Sequence, residues 1–201
     1  MAGIVKRETM AGPVRSKMIA GAMELLARRG LQATSFSEVL ARTGAPRGSV
    51  YHHFPDGKDQ LVAAALDRAS ALALAFLEHE SKADPVRLTQ RFFAMWRGVL
   101  ERSELSAGCA VLAVAVATDS GALLDHTATI FRGWREHLAA LLVRGGVPAE
   151  AAARFATTLI ASAEGAVVLS RAERSLEPLD LVAAELVAQA RRLQDSPKGV
   201  P

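Results

Sequence analysis

The chain has 201 residues, half of them apolar, with mean hydropathy +0.18 and a formal charge of +3. That supplies a sizeable core for one large or two small domains, and the richness in Ala and Leu with only one Tyr and two Trp favours helices over sheet. Cys109 is the single cysteine and cannot form an internal disulfide, the N-terminus lacks the apolar run of a signal peptide, and the longest uncharged apolar run, 107–117, is too short for a bilayer; a cytoplasmic protein with no membrane partner is expected.

Residues 1–12 carry no periodic pattern and read as a flexible arm, whose Lys6 and Arg7 could reach a polyanion. A first helix is predicted over 14–29, with Val14, Met18, Ile19, Ala22, Leu25 and Leu26 inward and Gly30 ending it. Arg15 and Lys17 lie near its start and suit phosphate contact. Thr34 or Ser35 can cap a second, short helix whose Phe36, Val39 and Leu40 share one face, with Glu38 near the favoured end of the dipole. Gly44 supplies the positive φ that ends it. Pro46 suits the first turn of a third helix, which carries Val50 inward and Arg47, Ser49, Tyr51 and His52 outward.

Two helices joined by a three-residue turn match the helix-turn-helix motif, in which the second helix enters the DNA major groove. Arg47 is the best placed for a base or phosphate, Gly48 allows close approach, Ser49 and Tyr51 can donate to phosphate, and Lys58 opens the next helix as a point charge. His52 could do either job. Residues 1–60 hold nine Lys or Arg against five acids, so the chain's positive excess lies wholly in this part, as a phosphate-binding domain needs.

A long fourth helix, about 57–81, follows with Leu61, Ala65, Leu72, Phe76 and Leu77, and links two domains. Asp84-Pro85 marks a break before a helix over 86–102 containing Phe92, Phe93, Met95 and Trp96. The apolar segment 106–117 fits a buried strand or a buried helix. A helix is expected there, because nothing else in the chain could pair with a lone strand. Further helices are predicted over 120–144, 148–172 and 178–194, separated by Gly145-Gly146-Val147-Pro148 and by a second break before Pro178. The expected fold is all-α with about nine helices: an arm (1–12), a three-helix DNA-binding domain (13–60), a connecting helix (61–84) and a C-terminal helical domain (85–201).

Thr34, Leu40, Ala41, Thr43, Gly44, Gly48, Tyr51, His53, Phe54, Lys58 and Leu61, in this register, resemble the DNA-binding domain of the TetR family of transcriptional repressors. The form Tyr51-His52-His53-Phe54-Pro55-Asp56-Gly57-Lys58 has one residue more before Lys58 than the usual family spacing, and is similar to the lincomycin-resistance repressor, or LmrA/YxaF-like, subgroup. The resemblance implies an operator-binding homodimer, with Arg15, Lys17, Thr34, Ser35, Pro46, Arg47, Gly48, Ser49, Tyr51, His52 and Lys58 toward DNA. It implies that the last two helices pair between subunits, because Ala163-Glu164-Gly165-Ala166 followed by Leu169 is similar to a family segment. It also implies a small hydrophobic or aromatic effector in the middle helices. Candidates to line that site are Phe92, Phe93, Trp96, Cys109, Leu112, Val116, Phe131, Trp134 and Phe155, with His126, His137 or Glu164 to orient the ligand.

Catalysis, metal and cofactor are not expected. The chain has no G-x-S-x-G, no phosphate-binding G-x-x-x-x-G-K-[ST], no H-E-x-x-H and no cysteine pair. Cys109 with His126 or His137 could act as nucleophile and base, but a lone Cys in an Ala/Val run reads as a small hydrophobe. The rival reading is a helical scaffold that uses its basic N-terminal part for protein contact.

Overall fold

The computed structural model describes residues 2–78 and 84–195, together with the side chains of all of these except 2–11 and 195, and every regular element among them is helical. They form α1 (Ala2–Arg29), α2 (Phe36–Thr43), a 3-10 turn (Arg47–Ser49) running into α3 (Val50–His53), α4 (Lys58–Glu78), α5 (Pro85–Arg102), α6 (Ala110–Ala115), α7 (Gly121–Arg144), α8 (Ala149–Glu173) and α9 (Glu177–Asp195). The chain divides into two compact units. One holds the residues up to Ala71 together with Ala110–Ala128; the other holds Leu72–Cys109 together with the chain from Thr129 onward.

In the first unit, α1 starts at Ala2 and takes in residues 2–12, which the sequence pattern assigns to an arm; Pro13 lies inside the helix, where it lacks the backbone N–H of a regular turn. The side chains of Lys6 and Arg7 lie outside the described residues, as does the expected end of the fourth helix near Ser81. The core is built from Met18, Ala22 and Leu26 of α1, Val39 of α2, Val50 and Phe54, and Leu61, Val62, Ala65 and Leu66 of α4. The closeness of α1 and α2 depends on Gly21, where a Cβ would come within 2.5 Å of Thr43 Cγ2. Segment 106–117 is helical only over Ala110–Ala115, with Ala110, Val111 and Val114 buried, and that helix, α6, packs on α1.

The second unit is a layered set in which α5, α8 and α9 pack on one another. Asp84 caps α5 by accepting from Val86 N at 2.8 Å, with Pro85 in the first turn, as the sequence predicts. Leu88, Phe92, Phe93, Trp96 and Leu100 of α5 meet Phe155, Leu159, Ala163 and Val167 of α8 and Leu179, Leu186 and Ala190 of α9 in the core. Ser170 of α8, fully buried, accepts from Leu179 N at 3.2 Å and so ties α8 to the start of α9. After α5 the chain turns through Glu104 and Leu105, both at positive φ (52° and 60°), and the Ser103 hydroxyl accepts from Ala107 N at 3.1 Å. This local bonding gives Ala107–Cys109 a non-helical path. Gly108 lies close to Arg171 there: a Cβ would meet Arg171 Nη1 at 3.0 Å and its Cδ at 3.3 Å, so the arginine side chain would have to shift slightly.

Two helices, α4 and α8, are long and apolar enough to cross a membrane by length and composition. The same is true of core helices, and α8 buries ten residues from Ala152 to Ser170. Most of the small apolar residues that the sequence assigns to subunit pairing, Ala156, Leu159, Ala163, Ala166 and Val167 among them, are buried within the unit itself, whereas Val168, Leu169 and Leu181 are half or more exposed.

Candidate nucleic-acid interface

The motif is assembled by short-range signals. Ser35 takes an extended conformation and its Oγ accepts from Glu38 N at 3.2 Å, opening α2. Gly44 closes α2 in the left-handed region at φ 66°, its N–H bonded to Leu40 O. The turn has the three expected residues, Gly44, Ala45 and Pro46. Pro46, however, stands one position earlier than expected: at φ −63°, ψ 136° it precedes the helical residues, where its missing N–H leaves no bond unmade. The reading element therefore starts as a 3-10 turn at Arg47 and becomes α-helical only at Val50. Val50 and Phe54 anchor it in the core, 3% and 0% exposed. On the other side Arg47, Gly48, Tyr51 and His52 face solvent, and Tyr51, 77% exposed, leaves its ring and hydroxyl open to an external partner.

Four of the proposed contact residues turn out to be engaged inside the fold. Thr34 is buried and its hydroxyl donates to Gly30 O at 2.8 Å, so its side chain closes the α1 end instead of facing outward. The Ser49 hydroxyl donates to Pro46 O at 2.6 Å, so its one proton is engaged within the turn. Ser35 Oγ, besides capping α2, lies 2.8 Å from Ser37 Oγ. Lys58 Nζ donates to Leu31 O at 3.0 Å; an ammonium has two more protons, so this bond orients Lys58 without using it up. The loop before it, with its additional residue, closes through Gly57 N to Phe54 O at 3.1 Å, with Gly57 at φ 88°.

Charge is sorted by ion pairs. Arg28 and Arg42 both meet Glu24, and Arg29 meets Glu38 at 3.2 Å. The hydrogen bond from Arg42, chief among these contacts, holds the Glu24 carboxyl below the usual range. Among the described residues no ion pair involves Arg15, Lys17 or Arg47, all three exposed. Arg15 lies over the Phe54 ring, 5.4 Å from its centroid, which brings its charge to the end of the reading helix beside His52 and His53. Burial, followed by the neighbouring His52 and Arg15 charges, pushes His53 below its ordinary pKa.

In the second unit, Ala73, Leu74 and Leu77 of α4, Phe92, Met95 and Trp96 of α5, Trp134 and Leu138 of α7, and Ile160 and Glu164 of α8 enclose a small cavity of ≈ 10 Å³. Four of the effector-site candidates, Phe92, Trp96, Trp134 and Glu164, line it. Cys109 hydrogen-bonds the Glu164 carboxyl, and Phe131 stacks edge-on against Trp134 at 5.5 Å. Phe93 instead lines a groove between α5 and α9, and Phe155 is buried in the core. Leu112, Val116 and His126 fall in the first unit; Val116 is 75% exposed, and His126 Nε2 lies 2.8 Å from Asp67 Oδ1. His137 has a buried Nε2 with no hydrogen-bond partner and is not among the cavity residues. Sequence reasoning placed no cavity residue on α4, whose Ala/Leu pattern reads only as a linking helix. Burial holds the Glu164 carboxyl up at about 7, the Cys109 hydrogen bond offsetting only part of the rise. Among the described residues no cluster of three metal-ligating side chains occurs.

Comparison with known proteins fits this arrangement. Residues 18–65 match the family described as bacterial regulatory proteins, tetR family, and residues 85–185 match the C-terminal domain of LmrA/YxaF-like transcriptional regulators. An uncharacterized HTH-type transcriptional regulator of Mycobacterium tuberculosis is 33% identical over 88% of this chain and 93% of its own length. The YxaF regulator of Bacillus subtilis is 28% identical over 92% of this chain and 98% of its own. The crystal structure of a TetR transcriptional regulator from Chloroflexus aurantiacus superposes with a TM-score of 0.75 at 29% identity, covering 92% of this chain and 97% of that one.

Proposed function

Because the chain belongs to the TetR family of bacterial transcriptional regulators, with an LmrA/YxaF-like C-terminal domain, we propose that it is a cytoplasmic repressor that binds a pseudopalindromic operator as a homodimer and releases it when a small apolar effector enters the second unit. Arg47 and Tyr51 read the major groove, His52 and Gly48 stand beside them, and Arg15, Lys17 and Lys58 hold phosphates. The observation that carries this reading is the sorting of charge: Arg28, Arg29 and Arg42 meet Glu24 and Glu38, while Arg15, Lys17 and Arg47 are left for an external polyanion. A dimer would set two reading helices about one DNA turn, roughly 34–36 Å, apart. An effector acts only through tighter binding to the form that does not hold DNA. The helix α4 supports such coupling, since it begins at Lys58 and carries Ala73, Leu74 and Leu77 to the cavity.

A mobility shift on the promoter beside the protein's own gene is expected to give a salt-sensitive, sequence-specific complex. Arg47→Ala or Tyr51→Ala should weaken it by about 1–3 kcal/mol, and Lys17→Ala should lower the slope of log affinity against log salt by about 1. Affinity equal to that for random DNA would remove the repressor reading and leave the scaffold.

The dimer is supported by the exposed apolar side chains Val168 and Leu169 of α8 and Leu181 of α9. Sedimentation at micromolar concentration is expected to show a dimer that Leu169→Glu with Leu181→Glu splits into folded monomers. A wild-type monomer at that concentration refutes the pairing.

A further inference from the structure

Glu164 is 8% exposed, and its Oε2 has no hydrogen-bond partner. Trp96, 6% exposed, has an equally unpartnered Nε1, and both residues line the same cavity. The other lining side chains carry no charge, so the cavity has a carboxyl and no cation of the protein to balance it. The Cys109 hydrogen bond offsets only part of the cost of burying such a group, and nothing in the packing of α8 requires an acid at this place, where Ala163, Ala166 and Val167 supply the core.

We propose that the effector is an apolar amine, bound as its cation with the ammonium on Glu164 and a hydrogen-bond acceptor of the same molecule on the Trp96 indole. An anion would meet a like charge. A neutral ligand forgoes the charge-assisted bond that an ammonium makes with the ionised carboxyl, and the aromatic lining of Phe92, Trp96 and Trp134 favours a cation. In this structure the cavity has room for about one water, so the amine enters by moving side chains, and the flexible Met95 is the one most able to yield. The proposal rests on the regulatory reading above and names the ligand class of that site.

The full-length protein is titrated at neutral pH with 4-tert-butylbenzylamine, 4-tert-butylbenzyl alcohol and 4-tert-butylbenzoate, following tryptophan fluorescence. Both tryptophans of the chain line the cavity, so the signal reports its occupancy. The amine is expected to bind at least about tenfold more tightly than the alcohol, as a charge-assisted bond requires, and the benzoate not to bind. Glu164→Gln should bring the affinity for the amine down to that of the alcohol. Equal affinities for amine and alcohol, a preference that survives in Glu164→Gln, or no saturable binding of the amine, as for a site built for a water, each overturn the proposal. An alcohol that binds as well as the amine and releases operator DNA overturns this inference and keeps the repressor. An amine that binds through Glu164 to a protein with no specific operator complex upholds the inference and removes the repressor.

Discussion

Phe54→Ala is expected to lower the unfolding free energy by about 3–5 kcal/mol and to abolish specific DNA binding. The ring is fully buried at the end of the reading helix, whose last turn closes through Phe54 N to Val50 O at 2.8 Å. Removing it leaves a void in the core formed with Met18, Leu26 and Leu61, and takes away the surface over which Arg15 lies at 5.4 Å. One substitution thus loosens the reading helix and frees the Arg15 guanidinium from the ring it lies over. Urea unfolding followed by circular dichroism at helix wavelengths gives the loss directly. Because Trp96 and Trp134 both lie in the second unit, tryptophan fluorescence reports that unit alone, and the dichroism midpoint should fall more than the fluorescence midpoint. Phe54→Leu, which keeps most of the apolar volume, should recover more than half of the stability. A midpoint for Phe54→Ala within error of the wild type would refute the role assigned to the ring.

Glu164→Gln is expected to stabilise the protein at alkaline pH by about 2 kcal/mol, raising Tm by about 4–8 °C at this chain length. Burial raises the carboxyl of the folded protein to about 7 from its ordinary 4.5. Between those values the folded state holds a proton that the unfolded state has released, so stability declines as pH rises through this window, and the whole penalty is present above it. The amide carries no charge and does not suffer that penalty, though its own N–H groups lack a partner, which offsets part of the gain. At about pH 5 the difference should shrink below about 1 kcal/mol. Thermal unfolding of both proteins at about pH 5 and pH 8 decides it: an equal gain at the two values would mean that the ionisation of Glu164 is not the cause.

The helix-turn-helix was legible because its signals are local. The cap at Ser35, the left-handed Gly44 and the apolar spacing of Phe36, Val39 and Leu40 act within a few residues, and so do Asp84 with Pro85 at the start of α5. The exposure of Arg47, Tyr51 and His52 and the burial of Val50 followed from one turn of helical periodicity. Less was legible in the second unit, where one broad buried face of α5 carries Leu88, Phe92, Phe93 and Trp96 together. There the pattern could not separate Phe92, which lines the cavity, from Phe93, which lines the α5–α9 groove. Nor could it show that Ala163 and Val167 complete the unit's own core while Val168 and Leu169 stay exposed.

By itself, then, the sequence determined the all-helical class, the three-residue turn, the placing of positive charge in the first sixty residues and the family. Each of these depends on residue types at short spacing or on their sum along a segment. The tertiary structure alone decided which polar groups remain available. Lys58 is held by Leu31 and Thr34 by Gly30, Arg42 meets Glu24, and Glu164 is left with an unpartnered oxygen beside Trp96. It also decided that Ala110–Ala128 belongs with the N-terminal helices. The physical reason is the same throughout: hydrogen-bond partners and desolvation come from whatever distant part of the chain is folded against a residue, and short-range spacing carries no record of that neighbour.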